Sequence, residues 1–262
     1  MEYSKVRYEK KNHTAYIYLD SQKNLNAFNG PMIEEVTQAL HAASEDEQVR
    51  VIVLTALGRV FSAGGDIVEM EQGLQRDEIV FEKTVPDIAR LSYLIKQIPK
   101  PVIASVFGSV AGAAFNIALA CDLCIAAEGT KFMQAFVNLG LVPDAGGLFL
   151  LTRAVGANKA MELVMLGTAV TAEEGKQYGF VHQVCAKEAL PEQTAKLAER
   201  LEKGPAAAYA QMKSLMLQAQ FGGYEAYSVQ ESKAQVACGH TADFREGVYA
   251  FLEKRKPEFR GK

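Results

Sequence analysis

Residues 99–132 read PKPVIASVFGSVAGAAFNIALACDLCIAAEGTKF, and the way this stretch divides decides the fold. The run over 110–127 is apolar for nearly a membrane length, but Asn116 and Asp122 interrupt it and glycine and charged residues bracket it. It reads instead as a buried strand over 102–108, a run of small residues, a buried helix and a further strand. Small residues after a strand let a ligand touch backbone, and a helix start leaves N–H groups unpaired and pointing outward.

The same pattern occurs once more upstream, where the buried strand VRVIVLT (49–55) runs into the loop FSAGGDI (61–67). Two such loops together can build an oxyanion hole, although two tight turns packed on a sheet would leave the same trace. Further out, KVRYEK and TAYIYLD alternate around a polar turn as a hairpin. Asn29-Gly30-Pro31 opens an amphipathic helix to about residue 44, and a long helical region covers about 78–98. After residue 147 the chain turns mostly helical, with Thr171 and Glu174 at capping-box spacing, one strand at 180–185, and helices across 189–202, 205–220, 223–237 and 241–255. The pattern is an α/β core followed by a helical C-terminal part, without repeats or a visible linker.

The 262 residues are 49% hydrophobic, enough for a large core, and the formal charge of −3 offers no global attraction to nucleic acid or anionic membrane. The N-terminus has no apolar stretch after a basic region, so a soluble, cytoplasmic protein is expected. Cys121, Cys124, Cys185 and Cys238 lie in apolar segments and read as reduced, buried thiols; a lone C-x-x-C lacks the four ligands of a structural zinc site. His13, His41, His182 and His240 are scattered away from the glycine loops.

Several motifs in register, NLNAFNGPMIEEV, FSAGGDIVEM, the 99–132 stretch, GLVPDAGGLFLLTRAVGANKAMELVMLG and REGVYAFLEKRKPEF, resemble the crotonase, or enoyl-CoA hydratase/isomerase, superfamily over nearly the whole chain. The resemblance implies an α/β spiral core of repeated strand-strand-helix turns over 1–200 and a helical trimerisation region over 201–262. It implies a homo-oligomer, trimer or hexamer, acting on acyl-CoA or acyl-carrier-protein substrates without cofactor or metal. By motif, the oxyanion donors are the backbone N–H groups of Gly65 and Ala113. Asn26, Ala27, Ala63, Asp66, Ile67, Val68 and Phe136 fall in segments that line the acyl groove, and Lys254 matches a basic contact to substrate phosphates or to an acidic carrier protein.

The departures from that pattern carry the functional reading. Hydratases of the family use two glutamates, and here those positions hold Asn116 and Phe136, neither of which can ionise. What remains is Asp144 in VPDAGG, where members of the family that move double bonds have their catalytic acid. On local grounds Asp144 is also a good cap for the helix that follows. If the family geometry holds, Phe115, Phe136, Leu141 and Val142 surround it with apolar groups that raise its pKa. Asn116 is then either a hydrogen bonder to substrate or Asp144, or a satisfied core amide. One base suffices for an enoyl-thioester isomerase that shifts a double bond between positions 2 and 3. The alternatives are a hydratase working through Asp144 and bound water, or a non-catalytic acyl-CoA or RNA-binding scaffold. A dehalogenase fits less well, because the chain has no Trp and no His in 85–101.

Overall fold

The computed structural model describes residues 3–262. Its strands are β1 (Val6–Lys11), β2 (Thr14–Leu19), β3 (Val51–Ala56), β4 (Val102–Val106), β5 (Ser109–Ala111), β6 (Leu123–Ala127), β7 (Lys131–Met133), β8 (Val170–Thr171) and β9 (Gln183–Cys185). Its helices are α1 (Gly30–Glu45), α2 (Ile67–Gln75), α3 (Phe81–Gln97), α4 (Ala113–Ala120), α5 (Gly147–Val155), α6 (Ala157–Leu166), α7 (Ala172–Tyr178), α8 (Leu190–Glu202), α9 (Ala206–Phe221), α10 (Tyr224–Gly239) and α11 (Ala242–Leu252).

Six strands form one sheet in the order β1-β2-β3-β4-β6-β9, parallel except for the β1–β2 hairpin, and β5-β7-β8 form a second, smaller sheet. After β3, β4 and β6 of the large sheet the chain passes through a segment paired with the small sheet, Ser62, β5 and β7 respectively, before it turns helical. The central strands are apolar throughout because both their faces are covered. Ile52 and Leu54 of β3 face the main core, while Val51, Val53 and Ile103 meet Leu197, Ala198 and Leu201 of α8.

The strand expected over 102–108 forms as β4, and the run of small residues after it holds a further strand, β5, that was not expected. The chain leaves the large sheet after Val106, turns at Gly108 (φ 67°), and enters the small sheet at Ser109. Periodicity could not reveal that break, since both strands are largely apolar and buried. The segment 67–75, which follows the loop read at 61–67 and had no assignment of its own, is the helix α2, capped by Asp66 through Val68 N at 3.1 Å. Elsewhere the local signals hold: Asn29 caps α1 through Met32 N (3.1 Å), and the Thr171/Glu174 capping box is formed at both hydrogen bonds. The C-terminal helices fold back on the core, with α10 along α3 and α11 against α2 and residues 135–139.

Candidate active site

The two glycine loops meet. Ser62 and Val110 form a parallel bridge, with Ala111 N donating to Ser62 O (3.2 Å) and Ser62 N to Ser109 O (3.1 Å). Gly64 (φ 94°) packs so closely that an added Cβ would lie 2.7 Å from Ala111 O. Gly112 (φ 52°) is its neighbour across the gap, and the Phe136 ring lies against Gly112. Immediately beyond these contacts come the N–H groups of Gly65 and of Ala113, the first residue of α4. Neither donates a hydrogen bond to a protein acceptor among the described residues. Strand-like pairing of Phe28 N with Gly64 O (2.7 Å) and of Asp66 N with Phe28 O (3.2 Å) holds the first loop in place. Two amides held side by side, one at a helix N-terminus, are a site for developing negative charge.

The 142–147 loop docks against the first turn of α4. Asn116, one turn after Ala113 and fully buried, donates from Nδ2 to Asp144 O (2.8 Å) and accepts from Gln134 Nε2 (2.7 Å). Asn116 is therefore a satisfied amide that fixes the backbone of Asp144 without meeting its carboxylate. Gly147 allows this contact, because a Cβ there would lie 2.5 Å from Asn116 Nδ2. Ala145 and Gly146 both adopt left-handed φ, 55° and 77°, and Ser92 Oγ donates to Ala145 O at 2.7 Å. A left-handed alanine is strained, and it persists because its surroundings hold it.

Asp144 itself is 9% exposed. Its Oδ2 accepts from Gln235 Nε2 at 3.3 Å, and its Oδ1 is buried with no partner among the described residues. Burial first, and the nearby Glu231 charge second, push its pKa up to about 8, against the smaller opposing effect of the Gln235 hydrogen bond. The expected helix-capping role fails. The side chain makes no cap to α5, only the Asp144 carbonyl accepts from Gly147 N (2.9 Å), and Gly146 N is taken by Glu231 Oε2 (2.9 Å). Two polar residues that the expected apolar neighbours did not include, Glu231 and Gln235 of α10, also bear on Asp144. Phe115 packs instead with Phe132 and Phe180.

Ala63, Gly65 and Val68 are exposed, Ile67 is half-buried and Ala27 is buried. Asn26 is buried with its polar atoms spent inside the protein, accepting from Ser21 N (2.8 Å) and donating to Leu57 O (2.9 Å). Asp66 accepts from Asn24 (2.9 Å) and Asn29 (3.0 Å) besides capping α2. These two residues shape the loops and leave no polar atom free to line a groove. Lys254 is exposed beyond α11 and hydrogen-bonds none of the residues above. Sequence reasoning missed Gln134, Glu231 and Gln235. The only trace of the last two was a Glu and a Gln one turn apart in a helix read as an assembly element.

A family model for enoyl-CoA hydratase/isomerase matches residues 9–262. A trans-2-decenoyl-[acyl-carrier-protein] isomerase of Streptococcus mutans is 42% identical over the full length of both chains. A probable enoyl-CoA hydratase of Rhodobacter capsulatus is 39% identical, again over all of both. Among solved structures, an enoyl-CoA hydratase of Mycobacterium avium subsp. paratuberculosis matches with a TM-score of 0.89 at 30% identity, covering 99% of this chain and 100% of that one. Relatives named for both reactions share the fold, so the fold leaves the reaction to the site. With the paired loops, the spiral and these matches together, the chain belongs to the enoyl-CoA hydratase/isomerase family.

Proposed function

We propose that the protein is an enoyl-thioester isomerase that moves a double bond between positions 2 and 3 of an acyl chain. The observation that carries this reading is the carboxylate oxygen Asp144 Oδ1, buried without a hydrogen-bond partner among the described residues on the loop that docks against the first turn of α4, while Asn116 and Phe136 stand where a hydratase needs glutamates. Glu231 Oε1 is also unpartnered among the described residues, but the other oxygen of that carboxylate is bonded to the Gly146 amide. In the 2-to-3 direction Asp144 takes a proton from C4, the electrons move to form the C3–C4 double bond, and negative charge collects on the thioester oxygen. The N–H groups of Gly65 and Ala113 hold that oxygen, and Asp144 returns its proton to C2. The sequence of steps is proton transfer alone and has no place for a cofactor. Phe136, against Gly112, keeps water from the dienolate, which strengthens the oxyanion contacts and suppresses hydration.

The relative from Streptococcus mutans is named for a decenoyl chain on acyl carrier protein, and we carry that substrate class over to this chain. Ala63, Ile67 and Val68 would then border the acyl groove. Lys254 would reach the phosphates of the carrier across a subunit boundary. Met212, Leu215 and Met216 on α9 leave an apolar face, with Met212 61% exposed, and this supports self-association through residues 201–262 into a trimer or hexamer. Among the described residues no helix is long and apolar enough to cross a membrane, and the proposed place of work is the cytoplasm.

The test is the product ratio. Given a 2-enoyl thioester on CoA or on acyl carrier protein, the purified protein forms 3-enoyl product well ahead of 3-hydroxyacyl product at early times. Early, dominant 3-hydroxyacyl product would make it a hydratase, and no turnover of any chain length on either carrier would make it a binding scaffold.

A further inference from the structure

Three points of the 142–147 loop are held by one helix. On α10, Gln235 accepts from Val142 N (3.0 Å) and donates to Asp144 Oδ2 (3.3 Å), and Glu231, one turn earlier, accepts from Gly146 N (2.9 Å). Gln235 is fully buried and Glu231 is 4% exposed. A neutral side chain at 231 could accept the Gly146 N–H equally well. Burying a second carboxyl next to the first is costly, because like charges in a low-dielectric site repel and neither is solvated. A hydrogen bond alone therefore does not account for an acid at this position.

We propose that Glu231 is a positioning residue for Asp144: it anchors the loop at Gly146, and its negative charge beside Asp144 makes that carboxylate a stronger base. The inference rests on the isomerase reading for its catalytic meaning. Glu231 meets the N-terminal end of α5, where the helix favours an anion. Burial pushes its pKa up to about 7, while the Gly146 and Gly147 amides and Tyr227 work to lower it. Burial raises both carboxyls, and the Glu231 charge raises Asp144 further, so the two titrate as a coupled pair. Other titratable groups here are Tyr224, Tyr227 and Cys238 of α10, all raised by burial and neutral in this range, with Tyr93 of α3 stacked on Tyr224. The facing residues of α4 and of the 134 segment, Asn116 and Gln134, carry no charge.

The test compares the pH dependence of double-bond transfer in wild type, Glu231→Gln and Glu231→Asp. Wild-type rate rises with pH as Asp144 ionises. In Glu231→Gln the midpoint moves down by about one pH unit, and the plateau falls several-fold because the base is weaker. Glu231→Asp keeps the charge and so restores the midpoint. A uniform loss of rate with an unmoved midpoint in Glu231→Gln would reduce Glu231 to a structural bond and overturn the proposal. A second measurement needs neither catalysis nor a change at 231: infrared titration of the carboxyl bands in wild type and Asp144→Asn. Coupling is reciprocal, so in wild type the band of whichever carboxyl stays protonated longer must shift in frequency as the other ionises, and Asp144→Asn shows which band belongs to which residue. Two wild-type carboxyl bands that titrate without either one shifting as the other ionises overturn the proposal even if Glu231→Gln fails to fold. Absence of isomerase turnover in wild type would sink the functional reading and leave this titration to be judged by itself.

Discussion

The two halves of the site are made by different means. The oxyanion side is backbone: two strand ends, 62–65 and 109–113, lie parallel and present N–H groups, and glycines at 64 and 112 let them approach. The base side is a strained loop held by four side chains from three distant helices, Ser92 of α3, Asn116 of α4, and Glu231 and Gln235 of α10. A backbone device tolerates changes of side chain but no change of path. A side-chain device tolerates neither loss of its central group nor loss of charge around it.

The sharpest way to break this contrast is at its centre. Asp144→Asn keeps the shape of the loop and removes the proton acceptor, so double-bond transfer should fall by roughly two to four orders of magnitude, as for other general bases, with fold and oligomer retained. A wild-type rate in that variant would return Asp144 to being a turn residue.

The oxyanion side is probed by a pair of changes. Gly64→Ala puts a methyl 2.7 Å from a backbone oxygen at a left-handed φ, so the loops must separate. We expect turnover to drop by about a hundredfold, the scale for losing one oxyanion donor. Ala113→Gly leaves its amide in place and should change turnover by no more than a few-fold. If Ala113→Gly proved as damaging as Gly64→Ala, the donor at 113 would depend on its side chain, and the contrast between the two halves would fail.

The mildest effect is on stability. Asp144 and Glu231 bind protons more tightly in the folded protein, at about 8 and about 7, than their ordinary values of 3.8 and 4.5. Between those limits the native state holds protons that the unfolded chain has lost. The stabilisation is therefore complete below about pH 4 and is lost as pH rises through 7 to 8. Thermal melts from pH 5 to pH 8 should show Asp144→Asn gaining on wild type by about 5 °C across that range. A constant difference in Tm would mean that Asp144 is not held protonated by its surroundings.

Local rules carried much of this molecule. Buried strands, glycine loops opening onto a helix, the caps of α1 and α7 and the missing glutamates at 116 and 136 are all legible within a few residues of chain, because backbone conformation and helix ends depend on near neighbours. Those same rules misjudged Asp144. Proline before it and glycines after it mark a cap, yet the cap is absent, because α10 supplies Glu231 to the Gly146 amide from 85 residues away. They also missed β5, just after Gly108, where three residues of the small-residue run join the second sheet. The sequence by itself determined the family and singled out two glycine loops and Asp144 as the candidate site. Only the tertiary structure decided how that carboxylate is held, which of its oxygens is free and which charge lies beside it. Those properties are set by burial and by contacts such as Gln235 to Asp144, 91 residues apart, which no local pattern encodes.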